Sequence, residues 1–350
     1  MTKAATTLAA PGDLRGPEQD RVGLADRLRT DLTGRIDRTL SDAPSPGTGI
    51  YVGWVAALDA ALCPARYRAS GIHGWGFPGW SPPLAAAAIG RAALNGHLLL
   101  RAAPAHGLAI TEPVLALPEP LEVVRAWVRD VARVPTSPVA EWVAELARDG
   151  DRATLAAAAA NATRWVAGFV RVNGWPLPPR LGLISDEADN PFARRWPKRW
   201  RPSRGSSVTV ASSPDAVVGK VAPAGRFGLL VHRPSSPTDG VLADRAAFEA
   251  TAGALTSGIV ADHVVVTTAD SGERVRFPID DALLARGLEL VVGTVRQRVL
   301  AQGDWGFDDA TPSAACHHCP ERSGCEPGCL WLVGPGRWRG GLPDSGGAWA

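Results

Sequence analysis

Through the first half of the chain, apolar residues recur at intervals of three and four, the spacing that stacks them on one helix face. This predicts a helix over about Arg21–Leu40, ended by Asp42-Ala-Pro-Ser-Pro-Gly, whose prolines and glycine read as a linker. The same period resumes through Val52–Leu62, Pro83–Leu100, Pro120–Val134 and Val139–Val170, with Gly/Pro breaks between them. His73–Trp80 (HGWGFPGW) reads as a loop.

Further along, the period shortens. Ser207–Val221 and Arg226–Val231 are rich in β-branched and apolar residues, Asp244–Leu255 is helical, and Asp262–Thr268 is a strand. Asp270-Ser-Gly turns into a further strand, Arg274–Ile279, and Asp280 caps a helix running to about Gln302. Strand, strand, helix, strand, strand, helix describes a small mixed sheet packed with helices, an α/β core behind a helical front half. The segments are 1–48, an N-terminal helix and linker; 49–190, a helical region; 191–302, the α/β core; and 303–350, a cysteine-rich tail. No internal repeat is visible.

The chain has 350 residues, 45% hydrophobic and 21% charged, enough for a sizeable core in one large or two closely packed domains. No apolar run approaches the ~20 residues of a membrane span, and no signal-peptide block opens the chain, so it is expected in the cytoplasm without membrane contact. A net charge of +2 does not by itself point to nucleic acid. Only three of the 37 basic residues are lysines (Lys3, Lys198 and Lys220), which leaves few candidates for any site that needs one. Tryptophan is abundant, 13 against 2 tyrosines, and suits core filling or base stacking.

Four of the five cysteines, Cys316, Cys319, Cys325 and Cys329, crowd near the C-terminus, and Cys63 stands alone far upstream. In a reducing compartment such a cluster reads as metal ligation. Taken locally, C-x2-C-x5-C-x3-C is a tetrahedral zinc site, with His317 and His318 as spare ligands.

The alternative enlists Cys63, which ends a predicted helix as Cys63-Pro-Ala-Arg-Tyr67. This cysteine context, with Cys316-x2-Cys319-Pro and x5-Cys325, resembles the iron–sulfur branch of the PD-(D/E)XK nuclease superfamily, the RecB-like, AddB-like and CRISPR-associated exonucleases. The resemblance spans roughly Tyr51 to Cys329 and implies a restriction-endonuclease-like core. It also implies a [4Fe–4S] cluster held by Cys63, Cys316, Cys319 and Cys325, stapling the two ends of the fold, with Cys329 surplus. Four thiolates suit zinc as well, with Cys329 as the alternative ligand.

The family's active site needs a carboxylate on one strand, Asp/Glu-x-Lys on the next, and an upstream histidine. The carboxylates would hold Mg²⁺ or Mn²⁺, which activates water and offsets charge on the phosphate. Asp215, in Ser213-Pro-Asp215-Ala-Val-Val-Gly219, matches the first carboxylate. The next strand reads Leu229-Leu-Val231-His-Arg233, with valine for the carboxylate and arginine for lysine. In Ile89-Gly90-Arg91-Ala92-Ala93-Leu94, leucine stands where the histidine belongs, and His97 is the shifted candidate. The family's glutamine is missing from Ala243–Phe248. Asp186, Glu187, Asp189, Asp239 and Asp244 read as solvated loop carboxylates, and Lys220 falls on the face opposite Asp215 in a regular strand.

Arg194, Arg195, Trp196, Lys198, Arg199, Trp200, Arg201 and Arg204 put six cations and two indoles in eleven residues, with prolines keeping the stretch extended. Cations neutralise phosphates and indoles stack on bases, so this stretch is the candidate nucleic-acid contact. The expected protein is a DNA-binding or DNA-processing subunit that has lost cleavage and holds DNA or a partner helicase or nuclease. Two alternatives stand: an active nuclease with relocated residues, and a zinc-stapled interaction scaffold.

Overall fold

The computed structural model describes residues 21–41, 49–71, 80–102, 119–131, 137–175, 177, 181–183, 195–199, 207–221, 225–233, 239–301, 306–312, 316, 319 and 324–333. In chain order the helices are α1 (Arg21–Ser41), α2 (Trp54–Leu62), α3 (Pro64–Gly71), α4 (Pro82–Ala102), α5 (Pro120–Val131), α6 (Pro138–Asp149), α7 (Arg152–Asn173), α8 (Asp239–Ser257), α9 (Asp281–Leu300) and α10 (Glu326–Val333). The strands are β1 (Ile50–Val52), β2 (Leu181–Leu183), β3 (Arg195–Arg199), β4 (Ser207–Ala211), β5 (Ala216–Gly219), β6 (Phe227–Arg233), β7 (His263–Thr268) and β8 (Arg274–Pro278). The loop read at 73–80 and the linker after Asp42 lie almost wholly outside the described residues.

Two sheets form, in the orders β1-β4-β3 and β2-β5-β6-β7-β8. In the larger one, β2, β5 and β6 are antiparallel, β6 and β7 are parallel across α8, and β8 returns antiparallel. This is a mixed α/β sheet. The central strand β6 is buried from Phe227 through His232, as a strand covered on both faces must be.

The period-2 alternation of β6 splits the core. Phe227, Leu229 and Val231 join a cluster with α1, α2, α8 and α9, while Leu230 joins Ala216 and helices α4 to α7. The sheet is therefore the middle of three layers, and packing cuts across the segments drawn from sequence. α1 lies on α8 and α9, and α2 and α3 lie on α9 rather than with the helices that follow them. Arg29 on α1 donates to the Leu255 carbonyl near the end of α8 at 2.8 Å.

The run Val139–Val170, expected as one helix, is two. Gly150 adopts φ 74° and ends α6, and the Asp151 side chain accepts from Thr154 N–H to start α7. Ser207–Val221 likewise divides into β4 and β5, which belong to different sheets. The Asp280 cap on α9 is present, accepting from Leu283 N–H at 2.8 Å.

Two glycines permit close packing here, Gly90 between α4 and α7 and Gly168 between α7 and the sheet. A Cβ on Gly90 of α4 would lie 2.3 Å from the Trp165 ring of α7. One on Gly168 would lie 2.4 Å from Ala269 and 3.0 Å from His232 Nε2. A helix can come this close only where there is no side chain.

Candidate functional site

Asp215 immediately precedes β5 and is 2% exposed. Its backbone N–H donates to the Leu230 carbonyl at 2.7 Å, one step past the Ala216–Leu230 pair, so Val231 is its cross-strand counterpart. The carboxylate is engaged on both oxygens. Oδ1 accepts from Arg91 Nη1 of α4 at 2.7 Å, and Oδ2 accepts from the His232 backbone N–H at 2.6 Å. Arg91 is itself buried. The α4 residue that reaches Asp215 is thus Arg91, while His97 lies further along with its ring 6.2 Å from that of Trp175.

A second buried carboxylate, which sequence reasoning passed over, stands close by. Glu249 of α8 has no exposed surface. It accepts from Ser212 Oγ at 2.7 Å and Ser213 N–H at 2.9 Å, and pairs with Arg245 at 2.9 Å. Arg245 also stacks 5.0 Å from the centre of the Trp54 ring. Each carboxylate thus has its own buried guanidinium. Arg233, half-buried near Arg245, has its pKa lowered by burial and by that second cation.

This set does not fit Mg²⁺ or Mn²⁺. Those ions want several free oxygen donors, whereas Asp215 and Glu249 are already neutralised and Val231 offers none. Lys220 is exposed beyond Gly219, whose φ is 109°, and its N–H pairs with the Arg226 carbonyl. Asp244 pairs with Arg286. Asp186, Glu187 and Asp189, and the side chain of Asp239, lie outside the described residues.

The His232 ring, on β6, packs against α7. Nδ1 is 2.9 Å from Thr267 Oγ1, and the rings of Trp165 and Phe169 meet it edge-on, both at 5.5 Å between centres. Burial, aided by the nearby Arg171 cation, pushes its pKa down to about 4, so the ring is neutral at pH 7.

The cysteines behave differently. Cys63 caps the C-terminal end of α2, its N–H bonded to the Asp59 carbonyl, and Cys325 precedes α10. Burial raises the Cys325 thiol, its hydrogen bond from Gly328 lowers it, and the thiols of Cys63, Cys316 and Cys319 raise it further. Those three therefore lie within electrostatic reach of Cys325, despite about 250 positions between Cys63 and the rest. A methyl group on Gly328 would come 3.3 Å from Cys325 Sγ and 3.6 Å from Cys316 Sγ, so both sulfurs border that glycine. Cys329 is 2% exposed.

Among the described residues, no three His, Cys, Asp or Glu side chains stand at the separations that bind a single metal ion. The thiols share one neighbourhood without closing on a point. Their soft donor set fits an iron–sulfur cluster or zinc. His317 and His318 lie outside the described residues.

What brings the tail to Cys63 is visible in the residues after it. Arg66 pairs with Asp59, Tyr67 is buried under Arg298 at 4.6 Å, and Arg68 grips Asp309. Sequence reasoning used this stretch only as context for the cysteine. A basic residue followed far away by an acidic one carries no signal of pairing.

Of the basic stretch, Arg195 to Arg199 form β3, an element not foreseen. It pairs antiparallel with β4 and ends its sheet, where Pro197 is tolerated because an end strand can lack a donor. Arg194, Trp200, Arg201 and Arg204 lie outside the described residues. No helix among the described residues is long and apolar enough to cross a membrane.

No protein-family model matches this sequence, and no curated protein matches it.

Proposed function

We propose that the chain is a DNA-holding protein built on a degraded PD-(D/E)XK nuclease-like core, in which cleavage has been lost and a cysteine-held cofactor staples the fold. The observation that carries this reading is the environment of Asp215. A buried carboxylate at the start of one strand, beside a second strand where the metal-binding motif would follow, is the arrangement the resemblance calls for. In this chain Val231 and Arg233 fill the motif positions, and Arg91 supplies the positive charge that a divalent cation would bring. Relocation of the active site to Glu249 is disfavoured for the same reason, because Arg245 already neutralises it.

Cys63, Cys316, Cys319 and Cys325 would hold the cofactor, a [4Fe–4S] cluster in this reading. Bound there, it would supply a cross-link between the α2–α3 junction and the tail rather than a reaction step. The chain's own residues do the rest. Arg68 and Tyr67 fix α3 against α9, and the basic stretch that includes β3, with Arg195, Lys198 and Arg199, is the part that would meet a phosphate backbone. A partner helicase or nuclease subunit would supply the chemistry that Asp215 no longer performs.

The test uses protein purified without oxygen, incubated with single- and double-stranded DNA in Mg²⁺ and Mn²⁺. The expected outcome is binding that weakens steeply with salt, and no degradation. Alanine at Arg195, Lys198, Arg199 and Arg201 together should flatten the salt slope. Cleavage abolished by Asp215→Ala would overturn the proposal, and so would a salt slope that the fourfold variant leaves unchanged.

A further inference from the structure

The thiols of Cys63 and of the tail are neighbours in the fold, and a pairing outside the thiol set joins the same two segments. Arg68 makes it. Its side chain is 5% exposed, and it reaches three residues in two separate parts of the molecule, α9 and the tail. Nη1 donates to Gln297 Oε1 of α9 at 2.7 Å and to Asp309 Oδ2 at 2.6 Å. Nη2 donates to Asp309 Oδ1 at 2.5 Å and to the Gly306 carbonyl at 3.1 Å.

This is the two-pronged guanidinium–carboxylate fork, the strongest of the ordinary side-chain pairings. It holds Asp309 so well that the Arg68 hydrogen bonds keep its pKa below the usual carboxylate range. Lysine could not make the same set of bonds, since its single ammonium cannot present two parallel donors.

We propose that Arg68 and Asp309 form a metal-independent latch that docks the tail segment 306–312 onto α3 and α9 and so presents Cys316, Cys319 and Cys325 to Cys63 before any cofactor arrives. This rests on the cysteine-clasp reading given above. Arg68 lies five positions after Cys63, and Asp309 lies seven before Cys316. With the latch closed, the loop that separates the thiols shrinks from about 250 residues to the few between each partner and its cysteine. Loop closure is then largely complete before coordination begins, and the local concentration of the second set of thiols rises accordingly. Arg68 is a positioning residue here, since it acts through the tail and touches no cofactor atom.

The test uses the full chain stripped of metal by a chelator, with hydrogen exchange read on peptides covering 306–333. Because Arg68 is buried and its loss risks the fold, the informative variant is Asp309→Asn, whose parent side chain is 46% exposed. Loss of a charge-assisted pair should lower the docked population about tenfold. The tail of Asp309→Asn should therefore exchange about tenfold faster while α8 and α9 stay protected. Anaerobic reconstitution with iron and sulfide should be slowed by a similar factor, and Asp309→Glu should recover part of it. Equal tail protection and equal reconstitution rates in wild type and Asp309→Asn would overturn the latch while leaving the clasp intact. A wild-type chain that takes up neither iron nor zinc would overturn both, because the latch would then have no cofactor to serve.

Discussion

Around Asp215 and Glu249 the balancing cations are covalent parts of the chain, whereas the groups that bear on the Cys325 thiol are mostly further thiols. The first region is closed: each carboxylate is buried against a guanidinium at 2.7 or 2.9 Å, with backbone or serine donors on its other lone pairs. The second is open: Cys63, Cys316 and Cys319 lie within electrostatic reach of Cys325, and the Arg68–Asp309 pair joins the same two segments from outside the set. The contrast is between two ways of satisfying clustered donors. An arginine partner neutralises a buried carboxylate and leaves it no open coordination position, so the same oxygens cannot also hold a metal.

The largest expected effect comes from breaking the closed region. Arg91→Met leaves the Asp215 carboxylate buried without its cation and should cost about 3–5 kcal/mol in denaturant unfolding. Arg91→Met with Asp215→Leu should recover most of that loss, since replacing both partners removes the uncompensated charge. A single variant that unfolds like wild type would mean the pair is not the internal cation this comparison requires.

Next is the open region. Cys63→Ser should abolish iron uptake and lower stability by a few kcal/mol, because a cross-link spanning about 250 residues strongly restricts the unfolded chain. Cys329→Ser should leave metal content unchanged and cost about 1 kcal/mol of packing. If Cys329 proves essential and Cys63 dispensable, the site is local to the tail and the two-ended staple is lost.

Acid separates the two regions on a third scale. His232 titrates near 6.5 when unfolded and at about 4 when folded, held down by burial beside Thr267 and Arg171. Between those values the unfolded chain binds more protons, so stability falls as pH drops from 6.5 to 4 and is unaffected above that window. His263, pushed down to about 4 by burial and by Arg276, acts in the same direction. The contribution from His232 is on the order of 3 kcal/mol by pH 4. His232→Asn should remove its share of the slope in the metal-free chain, and an unchanged slope would show that the ring does not carry it.

Much of the fold was legible along the chain because it rests on local rules. The 3.6-residue period marked α1, α4 and α5, β-branched runs marked β6 and β7, and Asp280 marked its helix start. The misses are also local in cause. Gly150-Asp151 is a stop followed by a start, which an apolar period running through it conceals. The three-residue strands β1 and β2 are too short for any period to show, and β3 is disguised by its charges and Pro197.

Spacing singled out Cys316, Cys319 and Cys325, the family resemblance added Cys63, and Asp215 stood out by its place before an apolar strand. What surrounds them could not be read in this way. Arg91, Arg245 and Arg68 are three among many arginines, and no residue type or spacing separates a buried partner from a surface charge. Their partners lie 124, 4 and 241 positions away. Only packing excludes water from a guanidinium and gives its pairing energetic weight, so the sequence determined which groups are available and the tertiary structure decided which of them are paired.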